Sequence, residues 1–505
     1  MYKHTMRRMP PIFPPLEQAL PSHHDLFYNG AWRKPLASTY NDTLNPSTGK
    51  PITRVAQASA TDVDAAVEAA HEAFLSWRKT TIAERQACLH RAGAILREHA
   101  GDLALADAVN TGNPVTEMLV DANRAANSLD YFAGLIPMLR GETLPGPFPA
   151  DAYLHYTVRE PIGVVARFMA SNHPFMFAGS RMASVIAAGN TVVVKPPDQA
   201  PLSCLRLAEL LDGVFPPGVL NILPGGPECG QALATHPLVK KVTLIGSVAT
   251  GKVIQREAAE TLKPTLLELG GKNALIAFPD ANLDQLVQGV VNGMNFAWAG
   301  QSCGSLSRVF LHRSIHDEVL DRVVQIIQHK YRPGLSTDPA TTMGSLVSKV
   351  AQDRVLDYIA SAHAEGAKLI HGGGKPAELT ETELAGGFFV QPTIFTDVLP
   401  HMRIAREEIF GPVMSVFPWT DESEMLRIVN STSYGLTGSI FTRDLATAQR
   451  MISQVEAGFV WVNEVGKHFL NVPFGGVKES GNGRDECLDE LLAFTAVKSV
   501  NIKLQ

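Results

Sequence analysis

One cysteine of this chain stands in a setting that suits a nucleophile. Cys303 follows the stretch 296–302, and its neighbours Gly300, Ser302 and Gly304 are small enough to leave a sulfur accessible. A lone cysteine is more often a buried apolar side chain than a reactive one, and the sequence alone leaves that alternative open. The remaining cysteines lack such neighbours and are interpreted as structural: Cys88, Cys204, Cys229 and Cys487.

One glutamate lies in an apolar setting that could make it a general base. Glu268 follows Leu266 and Leu267 and precedes Leu269. Burial disfavours the ionised carboxylate and raises its pKa, which suits a group that must accept a proton near neutral pH. The alternative is a salt-bridged or surface glutamate, and the apolar neighbours weaken the surface version.

Two predicted strand ends carry residues that could bind a nucleotide. The segment Gly246–Gly251 follows a strand and opens a helix, where small residues and a helix N-terminus admit a phosphate. It is not a P-loop, because Val253 replaces the Ser or Thr that would bind Mg²⁺, and a plain tight turn stays equally open. Lys195 and Asp198 end a second strand and could hold ribose hydroxyls. Taken alone, a solvated loop is the simpler interpretation of that pair.

Strands alternate with helices between residues 162 and 278. Apolar runs such as Thr191–Lys195 predict buried strands, and segments such as 175–188 have helical spacing. This alternation predicts a doubly wound parallel sheet, which binds ligands at the carboxyl ends of its strands. A second α/β region runs from 280 to 475, and the tail 494–504 alternates like an edge strand that another subunit would cover.

The composition limits the classes of function. The 505 residues are 45 % hydrophobic and 19 % charged, as in ordinary soluble globular proteins. A net charge of −6 without a basic stripe argues against a nucleic-acid partner, and no run of 18 apolar residues predicts a membrane span. Five cysteines without a C-x-x-C pair predict free thiols, no metal site and a reducing compartment. Residues 1–15 have no apolar core of a secretory signal, so we expect a cytoplasmic protein.

Eight segments, in this order, resemble the signature motifs of the aldehyde dehydrogenase superfamily. The resemblance runs from about residue 26 to about residue 500, and the order of the eight segments across one chain makes it specific. The segments are Ser171–Pro174, Lys195–Asp198, Gly246–Gly251, Glu268–Gly271, Gly300–Cys303, Glu408–Pro412, Asn430–Leu436 and Pro473–Gly476.

The resemblance implies an α/β fold with a Rossmann-type, doubly wound nucleotide domain, an α/β catalytic domain and a β arm for oligomerisation. It also implies a homodimer or homotetramer. The expected boundaries are 1–25 for an irregular N-terminal arm, 26–138 and 160–273 for the NAD-binding domain, 274–473 for the catalytic domain, and 139–159 and 486–505 for the oligomerisation arm.

The resemblance also implies a covalent mechanism. Cys303 would attack the aldehyde as a thiolate, and the Asn172 side-chain amide with the Cys303 backbone N–H would stabilise the oxyanion. Hydride transfer to the nicotinamide would leave a thioester, from which Glu268 would release the acid by activating water. No catalytic metal is expected.

The cofactor implied is NAD, with NADP possible. Lys195 and Asp198 would hold the adenosine ribose, and the Gly246–Gly251 turn with Ser247 would face the pyrophosphate. Glu408 would bind the nicotinamide ribose, and Phe410 would pack near the ring. Because Asp198 is shorter than the Glu common in the family but keeps its charge, we expect a preference for NAD with some tolerance of NADP.

Several positions depart from the common family pattern, and four of them are candidate substrate residues: His173, Trp298, Lys467 and His468. Phe474, which belongs to a matching motif, is a further candidate because it could flank an aromatic ring, so an acidic aromatic aldehyde also fits. A cationic or polar lining would suit a polar or anionic aldehyde. An equally open alternative is that the lysine points to solvent and the histidines only fill space.

The sequence therefore predicts an NAD(P)-dependent enzyme that oxidises an aldehyde to a free carboxylic acid. One alternative is an acylating member of the family that hands the thioester to coenzyme A, which the presence of Glu268 disfavours. A second is an inactive structural or binding protein on the same fold, which the intact Cys303, Asn172 and Glu268 disfavour. The partner expected is a small-molecule aldehyde.

Overall fold

Two large β-sheets and a small three-stranded sheet organise the chain in a computed structural model, which describes residues 13–147 and 152–504. The N-terminal elements are α1 (Leu16–Ala19), β1 (Leu26–Tyr28), β2 (Ala31–Arg33), β3 (Tyr40–Asn45), β4 (Lys50–Ala56), α2 (Ala60–Trp77), α3 (Ile82–Glu98), α4 (Ala100–Thr111), α5 (Val115–Leu135), β5 (Thr143–Leu144) and β6 (Tyr153–Pro161). The central elements are β7 (Val164–Phe168), α6 (Pro174–Ala187), β8 (Thr191–Lys195), α7 (Leu202–Leu210), β9 (Leu220–Ile222), α8 (Pro227–Thr235), β10 (Val239–Ile245), α9 (Val248–Ala259) and β11 (Thr265–Glu268).

The C-terminal elements complete the fold. They are β12 (Ala274–Ala277), α10 (Leu283–Gly293), β13 (Arg308–His312), α11 (Arg313–Lys330), α12 (Lys349–Ala364), β14 (Lys368–His371), β15 (Thr393–Thr396), α13 (Arg403–Arg406), β16 (Val413–Trp419), α14 (Glu422–Asn430), β17 (Thr437–Phe441), α15 (Leu445–Ile452), β18 (Phe459–Val462), β19 (Gly481–Asn482), α16 (Leu488–Leu492) and β20 (Thr495–Lys503).

The first sheet has the strand order β19-β11-β10-β7-β8-β9-β1-β2. Its five central strands, β11 to β9, are parallel and confirm the predicted doubly wound sheet. Its edges are antiparallel, which the prediction of a parallel sheet missed. The physical reason at one edge is the two-residue turn Asn29–Gly30, in which both residues have positive φ, because such a turn joins only antiparallel strands.

The register of this sheet aligns the carboxyl ends of the strands that carry the candidate site residues. Phe168 at the end of β7 pairs with Lys195 at the end of β8 and with Leu244 of β10. Ile245 pairs in turn with Glu268 at the end of β11. The loops that follow these strands therefore start from one row of the sheet.

The second sheet has the order β14-β15-β16-β13-β12-β17-β18 and is parallel except for β14. Strand β12 lies here and not with the strands from 162 to 268, although it follows them directly in the chain. The reason is its register: Ala274–Ala277 pairs residue for residue with β13 and β17, and its four residues are buried in the core of the second α/β region.

The tail forms the predicted exposed strand. Strand β20 pairs with β6 along nine positions, and β6 pairs with β5, so that three strands stand apart from the two large sheets. At the other end of the chain, residues 1–25 were expected to be irregular. The helix α1 lies within that segment, and residues 1–12 are outside the described residues.

Candidate active site

A cavity of about 640 Å³ opens at the carboxyl ends of β7, β8 and β10. It lies where the rule for parallel sheets places a ligand. Nine of the residues expected to bind cofactor or act in catalysis line it: Asn172, Lys195, Asp198, Gly246, Ser247, Glu268, Cys303, Glu408 and Phe410. The structure thus brings residues from 172 to 410 to one space.

The loop that presents Cys303 is held from two sides. Asn273, directly before β12, donates from Nδ2 to the Cys303 carbonyl at 2.7 Å and to the Ser305 carbonyl at 2.9 Å. Gly300 has φ +68°, and a Cβ there would lie 2.3 Å from the Gly411 carbonyl oxygen. A larger residue at 300 would displace the loop, so the glycine is required by a close approach of backbones.

Cys303 and Glu268 are in direct contact. The Cys303 Sγ lies 3.5 Å from Glu268 Oε1. Burial, together with the carboxylates of Glu268 and Glu408, raises the pKa of the Cys303 thiol well above its ordinary value. Burial also raises the pKa of Glu268 to about 8, and the like charges of Asp485 and Glu486 act in the same direction. A carboxyl group of this pKa can accept a proton near neutral pH.

The side-chain amide of Asn172 lies in the same cavity. Asn172 precedes α6, is 6 % exposed, and donates from Nδ2 to the Gln301 carbonyl at 3.0 Å. Its own carbonyl accepts from Asn113 Nδ2 at 2.7 Å, which fixes the backbone that carries it. An amide N–H fixed beside a cysteine loop can stabilise an oxyanion at a carbon bonded to the sulfur.

The nucleotide end of the cavity is formed by two strand-to-helix turns. Lys195 Nζ lies 2.5 Å from Asp198 Oδ1, and the Asp198 side chain is 40 % exposed. Ser247 caps α9 by accepting from the Thr250 backbone N–H at 3.2 Å, and Gly246, Ser247 and Thr250 at this helix N-terminus line the cavity. A helix N-terminus and a Lys–Asp pair fit a dinucleotide with its phosphates and ribose hydroxyls.

Gly251 was expected to bind the cofactor, but it does not line the cavity. Gly251 lies inside α9 and faces Leu269, whose Cδ1 would be 2.6 Å from a Cβ at this position. The glycine lets the helix pack on the chain after β11, and Thr250 lines the cavity in its place.

The opposite wall of the cavity carries Glu408. Its Oε1 accepts from the Gly271 backbone N–H at 3.1 Å, and burial raises its pKa to about 7. Gly270 leaves room for this carboxylate, because a Cβ there would lie 1.9 Å from Glu408 Oε2. Phe410, which has a left-handed φ of +52°, lines the same cavity. A buried carboxylate beside an aromatic ring fits a ribose and a nicotinamide ring.

None of the candidate substrate residues lines this cavity. His173 is 4 % exposed and its Nδ1 lies 2.6 Å from Asp121 Oδ2. Lys467 points outward, with a side chain that is 61 % exposed and paired with Glu464 at 2.5 Å. The cationic lining expected from the sequence is therefore not formed by Lys467.

The other candidates form two small aromatic groups. Trp298 packs edge-on against the His173 ring at 4.5 Å between centroids. His468 packs on Phe474 at 4.3 Å, and its Nδ1 lies 3.3 Å from Glu486 Oε2. Phe474 is 1 % exposed and therefore belongs to the core.

Sequence reasoning missed two residues beside the predicted site. Arg181 lies within the apolar helix α6, and its Nη2 is 3.6 Å from Glu268 Oε2. A buried basic residue within an apolar helix is a signal that a partner carboxylate exists. Gln301 accepts from the Val347 N–H at 2.9 Å through Oε1 and braces the cysteine loop, and nothing in its local pattern predicts that role.

Two structural findings concern the described residues only. In 13–147 and 152–504, no group of three or more His, Cys, Asp or Glu side chains could hold a metal ion. No helix in those ranges is long and apolar enough to cross a membrane.

Comparison with known proteins places the chain among well-defined relatives. Residues 32–500 match the sequence model of the aldehyde dehydrogenase family. The chain is 73 % identical over 496 residues to the aldehyde dehydrogenase tropH of Talaromyces stipitatus, covering 98 % of this chain and 96 % of the relative.

Solved structures show the same fold. The NAD⁺ complex of an aldehyde dehydrogenase from Bacillus cereus has a TM-score of 0.93 and 37 % identity, with 98 % of this chain and 99 % of that chain covered. PnpE from Pseudomonas sp. WBC-3 has a TM-score of 0.92 and 38 % identity, with coverage of 96 % and 98 %. PnpE has also been solved in complex with nicotinamide adenine dinucleotide.

Proposed function

The chain belongs to the aldehyde dehydrogenase family, and we propose that Cys303 is the nucleophile with which it oxidises aldehydes. The protein is an oxidoreductase that acts on aldehydes with NAD(P). The observation that carries the assignment of the nucleophile is the 3.5 Å contact between Cys303 Sγ and Glu268 Oε1 inside the cavity. A thiol next to a buried carboxylate can pass its proton to that carboxylate as the sulfur attacks.

The first half of the reaction forms a covalent bond to the enzyme. The Cys303 sulfur bonds to the aldehyde carbon, and the thiol proton passes to Glu268. The Asn172 amide and the Cys303 backbone N–H donate to the oxygen that gains negative charge. Bound NAD(P)⁺ supplies a hydride acceptor. The acyl group is then held on the sulfur as a thioester.

The second half releases the acid. Glu268 first releases to solvent the proton that it took from the thiol. It then takes a proton from water as the water oxygen adds to the thioester carbon, and the C–S bond breaks to release the acid and return the thiolate. The raised pKa of Glu268, about 8, supports its role as the base because the group holds and gives up protons in the working pH range. The presence of such a base beside the sulfur disfavours transfer to coenzyme A, and the intact cluster disfavours an inactive protein.

NAD is the cofactor that the cavity favours over NADP. Lys195 and Asp198 would hold the adenosine ribose, and the carboxylate of Asp198 would repel a 2′-phosphate. Gly246, Ser247 and the N-terminus of α9 would face the pyrophosphate. Glu408 would bind the nicotinamide ribose, and Phe410 would pack near the ring.

The class of aldehyde follows from how the candidate cations are paired. His173, Lys467 and His468 each contact a carboxylate within 3.3 Å. These pairs neutralise the positive charges that would favour an anionic aldehyde. The contacts support a polar but uncharged aldehyde that stays bound through shape and hydrogen bonds.

The chain organisation supports an oligomer. The first sheet would form the NAD-binding domain (26–138 and 160–273), and the second the catalytic domain (274–473). The three-stranded sheet of β5, β6 and β20 falls mainly in the expected oligomerisation arm (139–159 and 486–505). It carries exposed apolar side chains, namely Leu144, Leu154, Val497 and Ile502. A second copy that covers this sheet would give a homodimer or homotetramer. The five free thiols suit the cytoplasm.

The test of the proposed nucleophile compares two cysteine variants. Cys303→Ala should abolish formation of reduced nicotinamide from an aldehyde and NAD but keep NAD binding, measured by calorimetry. Cys88→Ala removes a half-buried free thiol from α3 and should keep normal turnover. Near-normal turnover of Cys303→Ala would contradict the proposal.

A further inference from the structure

A cluster of buried charges adjoins Glu268 on the side of its Oε2 atom. The guanidinium of Arg181 is 5 % exposed and faces four carboxylates: Glu268 at 3.6 Å, Asp485 at 3.5 Å, Glu486 at 3.4 Å and Glu490 at 3.7 Å. Glu268 Oε2 accepts no hydrogen bond from the described residues. Arg181 is thus the cation that adjoins Glu268, and three other carboxylates compete for it.

The cluster holds more negative than positive groups. A second buried guanidinium, Arg167, lies 3.3 Å from Glu490 Oε1. The charge of Lys241 also interacts with Asp485 and Glu490, so that three cations serve four carboxylates. A buried surplus of negative charge is relieved by protons or by further cations. Accordingly, burial raises the pKa of Glu268 to about 8 and that of Glu490 to about 6.

Backbone conformation and backbone hydrogen bonds fix the position of Glu486 in this cluster. Its φ is +65°, a left-handed conformation that costs free energy for a residue with a side chain. Its N–H donates to Glu490 Oε2 at 2.7 Å, and its carbonyl accepts from the Asn471 N–H at 2.8 Å. These bonds compensate for the strain and fix the carboxylate next to Arg181.

The second oxygen of Glu486 reaches a histidine near the surface. His468 Nδ1 lies 3.3 Å from Glu486 Oε2, and the His468 side chain is 42 % exposed while its ring rests on Phe474. A continuous series of contacts therefore runs from solvent to the base: His468, Glu486, Arg181 and Glu268.

We propose that His468 and Glu486 are positioning residues that set how strongly Arg181 supports the ionised form of Glu268. The proposal rests on the proposed role of Glu268 as the base of thioester hydrolysis. When a positively charged His468 pairs with Glu486, the attraction between the Glu486 carboxylate and Arg181 is weaker. Arg181 then stabilises the Glu268 carboxylate more strongly, and the base stays ionised at lower pH.

Other charged or titratable groups lie beside this series of contacts, and some of them also act on Glu268 or Arg181. Cys303 and Asp485 face Glu268 directly, and Asp485 also shares Arg181. The loop neighbour of His468, Lys467, pairs instead with Glu464. Lys467 is therefore a matched control, because it lies on the same loop and carries a charge without entering the series.

The experiment measures the hydrolysis rate of the acylated full-length enzyme against pH, after one rapid turnover with NAD and a simple aldehyde such as propanal. His468→Met removes the donor, and the acid limb of the profile should move to higher pH by about half a unit to one unit. His468→Lys keeps a cation at every pH, and the limb should move to lower pH. Lys467→Met should leave the limb in place.

Glu486→Gln gives a second, independent arm. It removes a like charge near Glu268 and frees Arg181, so the limb should move to lower pH. In the double variant with His468→Met the limb should follow Glu486→Gln alone, since the histidine acts through this carboxylate. Equal shifts for His468→Met and His468→Lys, additive shifts in the double variant, or no shift at all would overturn the proposal.

The initial burst of reduced nicotinamide separates this proposal from the proposed function. Every variant in the series should keep a burst, because each one retains both Cys303 and Glu268. A wild-type enzyme that forms reduced nicotinamide without any acyl adduct on Cys303 would refute the proposed function. An intact burst with unmoved limbs would refute only the roles of His468 and Glu486.

Discussion

The two sides of the site around Cys303 are held in place by different kinds of interaction. The cofactor side consists of strand ends, with Lys195, Ile245 and Glu268 held in one row by the register of a parallel sheet. The other side consists of loop and helix residues joined by ion pairs, such as His173 with Asp121 and His468 with Glu486. Backbone register fixes the first side, whereas side-chain charge balance fixes the second. The cofactor side should therefore tolerate fewer backbone changes, and the other side should respond more to pH.

The largest expected effect is on kcat and concerns Glu268, the residue at which the two sides meet. Glu268→Gln should lower kcat by about 10² to 10⁴-fold, because the amide cannot take a proton from water. In the wild type, thioester hydrolysis should rise with pH toward the pKa of Glu268, about 8, as the carboxyl group ionises. Steady-state and single-turnover rates between pH 6 and 9 measure both. A variant that keeps wild-type kcat would contradict the role of Glu268.

The second prediction concerns the stability cost of this base. The folded-state pKa of Glu268 is raised to about 8, so its contribution to stability is fully present below the ordinary carboxyl pKa of about 4.3 and is lost as pH rises toward 8. Glu268→Gln has no such proton to lose, and its free energy of unfolding should exceed that of the wild type by about 2 to 4 kcal/mol at pH 8. Denaturant melts at pH 8 and pH 5 check this, and the gain should shrink at pH 5.

A control separates this effect from a general loss of charge. Glu464 has a pKa that its Lys467 partner lowers, which is the opposite direction. Glu464→Gln should therefore show no gain in stability at pH 8. A gain of equal size in both variants would show that the buried setting of Glu268 is not its cause.

The third prediction tests the strand-end side. Asp198→Ala should reduce the preference for NAD over NADP in kcat/KM by about tenfold, since a charge-assisted hydrogen bond to the ribose is lost together with the repulsion of a 2′-phosphate. Asp212→Ala removes an exposed carboxylate outside the cavity and should leave the ratio unchanged. A wild-type enzyme that prefers NADP would contradict the assignment of Asp198.

The smallest expected effect tests the loop side. Lys467→Met should leave the ratio of kcat/KM for an anionic semialdehyde to that for an uncharged aldehyde of equal length unchanged within about twofold, because the lysine is paired with Glu464 and faces solvent. A tenfold fall of that ratio would show that the loop closes over the substrate and that Lys467 selects it.

The same division explains what the sequence can predict. Cys303, Glu268 and Lys195 lie in local patterns whose neighbours place them at a strand end or in an exposed turn. The motif around Gly251 suggested contact with a phosphate. Gly251 is, however, the fourth residue of α9, and it faces Leu269 on the side of the helix that packs against the chain after β11. Sequence motifs therefore predict which turn binds the ligand better than which atoms of the turn touch it.

Long-range charge pairs are the part that local patterns could not supply. Glu486 meets His468 through a left-handed backbone, and it meets Arg181 across 305 positions of the chain. Neither contact has a local signal, because the partners are set by how α6 packs on the C-terminal loop. The direction in which Lys467 points is undetermined by sequence for the same reason.

The covalent mechanism is tested most directly by the intact mass of Glu268→Gln after mixing with NAD and an aldehyde. We expect about one reduced nicotinamide per site, formed more slowly than in the wild type because the amide cannot take the thiol proton, and then a stable adduct of the acyl mass on the peptide that contains Cys303. An unmodified protein after this single turnover, or an adduct on another residue, would contradict the covalent mechanism at Cys303.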